Sequence, residues 1–192
     1  MEDGRFRLSS STTFLARALS VAGHPFLLVP LTVALSTRSV FWTSVIAAST
    51  TLPMLAIIAR KVRRGAWSDF DVSRREQRPA LYYAAAPLLL ACAGLLYWFG
   101  AAPRLMRSLA AGMIMFAVGL LANRFLKVSM HAMFAAFCGV TLVHDFPRAL
   151  VAVVAIALAI AWSRLHLERH TMMEVLVGAL VGGAAGVWAF VQ

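Results

Sequence analysis

Residues 81–99, LYYAAAPLLLACAGLLYWF, run for 19 positions without a charged side chain. As a helix rising 1.5 Å per residue this stretch is about 28 Å long, close to the ~30 Å of a bilayer's hydrocarbon core. Similar apolar runs flank it at 18–36, 40–59, 105–123, 130–144, 147–163 and 171–191, separated by short polar breaks. The pattern predicts an all-α fold: a polytopic transmembrane helical bundle of about six to seven spans. It forms a single domain over 18–192, preceded by an N-terminal interfacial segment, 1–17.

Composition agrees with this class. Of 192 residues 61% are hydrophobic and 14% charged, and mean hydropathy is +0.79. A soluble domain of this length needs more polar surface. The net charge of +10 is not clustered on a soluble face, so nucleic acid is not an expected partner; positive-inside bias explains it. Cys92 and Cys138 lie inside apolar runs and read as small hydrophobes. The N-terminus lacks a continuous apolar stretch ending in small residues, so no cleavable signal is expected. Phe6, Leu8, Phe14 and Leu15 suggest a weakly amphipathic interfacial segment instead.

Three polar breaks carry the chemistry. The first, within 60–79, contains SDFDVSRREQRP; the second is NRFLKVSMH, 123–131; the third is SRLHLERHTMME, 163–174. Two spans separate each break from the next, so all three fall on one membrane face. In the third, Glu174 follows His170 by four residues and shares its helix face. A carboxylate there can hold one imidazole nitrogen and leave the other as a nucleophile. The adjacent helix start offers free N–H groups to an anion, and Arg164 brings a donor fork suited to phosphate. In the second break Ser129 caps the following helix, Lys127 precedes it, and His131 can serve as a general acid. In the first, Arg74 and Arg78 share a face if the stretch is helical, and Arg75 lies between them. The run Arg60, Lys61, Arg63 and Arg64 reads as a topology anchor. His166 reads as interfacial, His24 as lying away from the site, and His144 as lying on the opposite face.

Together the breaks resemble the type-2 phosphatidic-acid phosphatase superfamily of lipid phosphate phosphatases and vanadium haloperoxidases, which carries KxxxxxxRP, PSGH and SRxxxxxHxxxD in that order. The third motif is matched by Ser163, Arg164 and His170, with Glu174 in place of Asp. The second keeps Ser129 and His131 but has Val128 and Met130 for Pro and Gly. The first keeps Arg78 and Pro79 but has Asp71 at the Lys position. The resemblance covers roughly residues 71–191. It implies a phosphatase-type core in which His170 attacks phosphorus and Glu174 orients it. His131 then protonates the leaving oxygen and later activates water, while Arg78, Arg164 and Ser129 hold the phosphoryl oxygens. The scheme needs no metal and no cofactor. The cation missing at Asp71 would come from Lys127 first, or from Arg74 or Arg75, and Met130 would crowd the phosphate.

Fourteen of the 18 Lys and Arg fall on the motif face, which predicts a site on the cytoplasmic face; the membrane expected is the prokaryotic cytoplasmic membrane. A site at the membrane face implies an amphiphilic substrate: an isoprenoid mono- or diphosphate, a phosphatidate-type lipid or a lipid-linked sugar phosphate. Two rival readings stand beside it. One is an intramembrane prenyltransferase, because Asp69 and Asp71 faintly echo its Mg²⁺-diphosphate loops. The other is a lipid-binding or transport protein that keeps the fold without the chemistry.

Overall fold

The computed structural model describes residues 10–190, and no strand occurs among them. The helices are α1 (Ser10–Ala22), α2 (Pro25–Thr37), α3 (Val40–Ile46), α4 (Leu52–Arg63), α5 (Arg78–Trp98), α6 (Pro103–Ala122), α7 (Met130–Asp145), α8 (Leu150–His166) and α9 (Met172–Trp188). Phe6 and Leu8 of the expected interfacial segment lie outside the described residues.

α3 and α4 form one rod, Val40–Arg63, joined by a π-helical turn at Ala47–Thr51. Two local causes meet there. Ser49 and Thr50 donate their hydroxyls to the Val45 and Ile46 carbonyls at 2.7 Å, and Pro53 brings no N–H to the ladder.

The expected single span at 18–36 is instead two helices bent by 54°. The cause is the sequence Gly23-His24-Pro25. A residue before proline is pushed out of the helical region, and His24 is extended at φ −67°, ψ 135°. Its Nδ1 then accepts from the Phe26 N–H at 3.3 Å and caps α2.

Among the described residues four helices are long and apolar enough to cross a membrane: Val40–Arg63, Arg75–Trp98, Pro103–Ala122 and Pro147–His166. The bent α1–α2 pair makes a fifth if counted as one span. α7 and α9, with 16 and 17 residues, are about 24 and 26 Å long, shorter than these four spans of 20 to 24 residues. They form the centre of the bundle, where α7 packs on α9, α2 and α8. Their close approach follows from Gly178, Gly182 and Gly186, spaced one helical turn apart on α9. A Cβ at Gly178 would come within 2.6 Å of the Ser129 carbonyl, and one at Gly182 would collide with the Met133 backbone. Small residues at this spacing let helix backbones touch.

The connections sort into two ends. Arg104 pairs with Asp145 at 2.5 Å and His144 stacks on Phe190, which marks one end. The three polar breaks meet at the other.

Candidate functional site

The third break supplies the best-defined geometry. Thr171 caps α9, and its hydroxyl accepts the Glu174 N–H at 3.3 Å while the Glu174 carboxylate accepts the Thr171 N–H at 3.2 Å. This reciprocal capping box fixes Glu174, whose Oε2 also lies 2.9 Å from His170 Nδ1. The Lys127 carbonyl is 3.1 Å from the same nitrogen. Both neighbours are acceptors, so the proton belongs on Nδ1 and the lone pair on Nε2. Burial lowers the His170 pKa, and the charges of Arg78, Lys127, Arg164 and His131 lower it further. The ring is thereby kept neutral.

The second break lies directly against the third. The Ser129 N–H donates to the Glu174 carbonyl at 3.1 Å, and Ser129 Oγ caps α7 by accepting the Ala132 N–H at 3.4 Å. Lys127 Nζ donates to the Arg169 carbonyl at 2.6 Å. Burial lowers its pKa, as do Arg78, Arg164 and Arg169, while Glu174 opposes them. His131 opens α7 and is buried, and its Nε2 has no hydrogen-bond partner.

From the first break, Arg78 is buried and donates to the Val128 carbonyl at 2.5 Å and the Val72 carbonyl at 3.3 Å. Val72 is buried with φ +47°, a strained conformation for a β-branched residue. It sits beside Asp71, whose Oδ2 lies 2.8 Å from Arg164 Nη2. Arg164, buried in α8, also donates to the Ser20 hydroxyl. Burial works to raise the Asp71 pKa, but His131, Arg164 and His24 outweigh it and hold the carboxyl below its ordinary range.

Thus His170, Glu174, His131, Ser129, Lys127, Arg78 and Arg164 come together. Arg74 and Arg75 do not join them. Arg74 is exposed and extended, with α5 starting only at Arg78, so the two arginines share no helix face. Arg75 is committed to the Asn123 carbonyl at 2.6 Å and to the Arg124 carbonyl; it ties the first break to the second.

His24, expected away from the site, is in it. Its ring lies 4.9 Å from that of His131, and its Nε2 is 3.7 Å from Asp71 Oδ1. The Gly-His-Pro sequence is the signal that marks this position, because it places a polar side chain at a helix break. His166 is half-buried and stacks on Trp162.

His24, Asp71, Arg78, His131 and Arg164 line the mouth of a cavity of about 170 Å³. Beyond them its wall is mostly apolar, with Val33, Met54, Leu89, Leu109 and Phe134 beside the hydroxyls of Thr50, Thr51 and Ser108. From Arg78 to Leu89 along α5 is about 16 Å. Met130 also lines it, with its sulfur 3.7 Å from the Tyr82 hydroxyl. The arrangement suits an amphiphile with an anionic head among the cations and a chain between the helices.

Compared with protein-family models, curated proteins and solved structures, the chain matches none.

Proposed function

We propose that this chain is a multi-pass membrane lipid phosphate phosphatase with six to seven spans and a phosphatase-type core, similar to the type-2 phosphatidic-acid phosphatases. In this reading α7, α9 and the α1–α2 pair count as spans beside the four long helices. The observation that carries it is the meeting of all three polar breaks at one end of the bundle, where Glu174 holds His170 through Nδ1 at 2.9 Å and Arg78, His131 and Arg164 line an apolar cavity.

The chemistry of this reading is the one the resemblance implies. His170 Nε2 attacks phosphorus, and the bond to the lipid oxygen breaks. His131 gives its proton to that oxygen, and the lipid alcohol leaves. Water then attacks the phosphohistidine, losing a proton to His131, and the P–N bond breaks to release phosphate. Arg78, Arg164, Lys127 and Ser129 hold the phosphoryl oxygens while charge redistributes, which is the main requirement of phosphoryl transfer. Glu174 keeps the nucleophile's tautomer and balances the charge His170 gains. The charge bias turns the site to the cytoplasmic face.

Phosphate release from isoprenoid phosphates, isoprenoid diphosphates and phosphatidate in detergent tests the reading. Release by the natural chain and a loss of about 10³-fold or more in His170→Ala are expected; full activity in His170→Ala sinks the mechanism. The Asp71–Arg164 pair at 2.8 Å favours a second reading, because a carboxylate already occupies one arginine. Tight binding of the same lipids without any release would support a lipid-binding protein.

A further inference from the structure

At the mouth of the cavity, three donors from three separate segments face one another. His24 comes from the α1–α2 bend, Asp71 from the loop before α5, and His131 from the first turn of α7. Their ligand atoms all lie within 4.8 Å of one another. Asp71 divides its carboxylate: Oδ2 holds Arg164, while Oδ1 faces His24 Nε2 at 3.7 Å, too far for a hydrogen bond. His131 is 4% exposed and its Nε2 has no partner, whereas a buried imidazole nitrogen is ordinarily satisfied. Arg164 holds the carboxylate at 2.8 Å, next to the Val72 backbone at φ +47°.

We propose that His24, Asp71 and His131 form a binding site for a divalent transition-metal cation such as Zn²⁺, and that the bound ion shuts off the lipid-phosphate site. Two imidazoles and one carboxylate suit the nitrogen-preferring first-row ions, whereas Mg²⁺ and Ca²⁺ take mostly oxygen. Donors at about 2.0–2.1 Å from a tetrahedral ion stand about 3.4 Å apart, so the side chains close by about 1.4 Å or less from their present spacing. Arg164 remains on Oδ2 as the outer partner that orients the carboxylate. Arg164 and Arg78 both stand against a cation here, which favours Zn²⁺ over the weaker-binding Mn²⁺. His24 must carry its proton on Nδ1 to ligate through Nε2, and so gives up the 3.3 Å cap bond from Phe26.

The blocking effect rests on the phosphatase reading; the binding does not. His131 uses one nitrogen to carry a proton, and an ion on Nε2 removes it from that role.

Co²⁺ absorption, followed by competition with Zn²⁺ on the purified full chain in detergent, tests the binding directly. One equivalent should bind, with no thiolate charge-transfer band from Cys92 or Cys138. Affinity should fall at least about tenfold in His24→Ala and in Asp71→Asn, and should be unchanged in His144→Ala at the far end. Asp71→Asn loosens buried Arg164, so monodispersity and melting temperature accompany each titration; His24→Ala leaves that ion pair in place. Absence of Co²⁺ binding in the natural chain, thiolate ligation, or equal binding in folded His24→Ala overturns the site. In the activity arm, Zn²⁺ should inhibit phosphate release, and His24→Ala should need about tenfold more Zn²⁺ relative to its own metal-free rate. Binding with undiminished release overturns the blocking role. Should no lipid phosphate be hydrolysed, the phosphatase reading falls while the Co²⁺ titration still decides the site.

Discussion

His170 keeps its proton on Nδ1 because the two groups facing that nitrogen, Glu174 and the Lys127 carbonyl, only accept. Replacing Glu174 by Gln offers an amide that can donate as well as accept. It should cut phosphate release by about 10²-fold or more through the wrong tautomer, and an unchanged rate in Glu174→Gln would remove Glu174 from the mechanism. The lowered pKa of His170 has a consequence for stability. The unfolded chain binds a proton near pH 6.5 and the folded site refuses it, so stability is full above that pH and declines as pH falls below it. Melting in detergent should drop between pH 7.5 and pH 5, and His170→Asn should flatten that drop; an equal drop in both proteins would contradict the assignment. The His170–Glu174 contact was legible from their spacing of four, although His170 stands just before the Thr171 cap and not on α9 itself; Arg164, on α8, was legible only through the motif that resembles the phosphatase family's. Asp71 was legible as a departure but not as a partner of Arg164, because nothing in local sequence relates a loop to a helix 93 positions away. His24 was missed for a different reason: hydropathy averages over Gly-His-Pro, while backbone sterics do not.

α7 and α9 place the second and third breaks against each other, so the site depends on how closely these helices pack. Gly182 has no room for a methyl group beside the Met133 backbone. Gly182→Ala should force the helices apart and cost about 1–3 kcal/mol, read as a lower melting temperature together with lost activity. A variant as stable and active as the natural chain would show that this contact is looser than described. The spacing of the glycines at 178, 182 and 186 does not by itself name a partner helix, because any apolar helix could have met that face. The cavity offers a gentler test. Gly112 lines it and has nothing within 4 Å of an added Cβ, so Gly112→Leu should fold normally and fill the space that the proposed lipid chain would occupy. KM should rise for long-chain substrates and stay level for short-chain ones; equal effects on both would place the chain elsewhere.

At the scale of the whole molecule, apolar runs disclosed the helical class and nearly every helix position, because lipid or a buried core demands them. Boundaries of function within those helices were less legible. α7 reads as a short span, yet nine of its residues are buried, since it forms the centre of the bundle instead of facing lipid. The proposed cytoplasmic orientation rests on charge alone. With Glu76→Cys at the site end and His144→Cys at the other, an impermeant thiol reagent applied to intact cells should label His144→Cys alone. Labelling of Glu76→Cys alone would turn the site outward.

The central claim is a covalent phosphohistidine at His170. Rapid acid-free quenching of the chain with a ³²P-labelled lipid phosphate should trap label that is stable to base and lost in acid. Mapping should place it on the peptide containing His170, and the label should be absent from His170→Ala. Phosphate release with no trapped label, or label that persists in His170→Ala, would contradict the account.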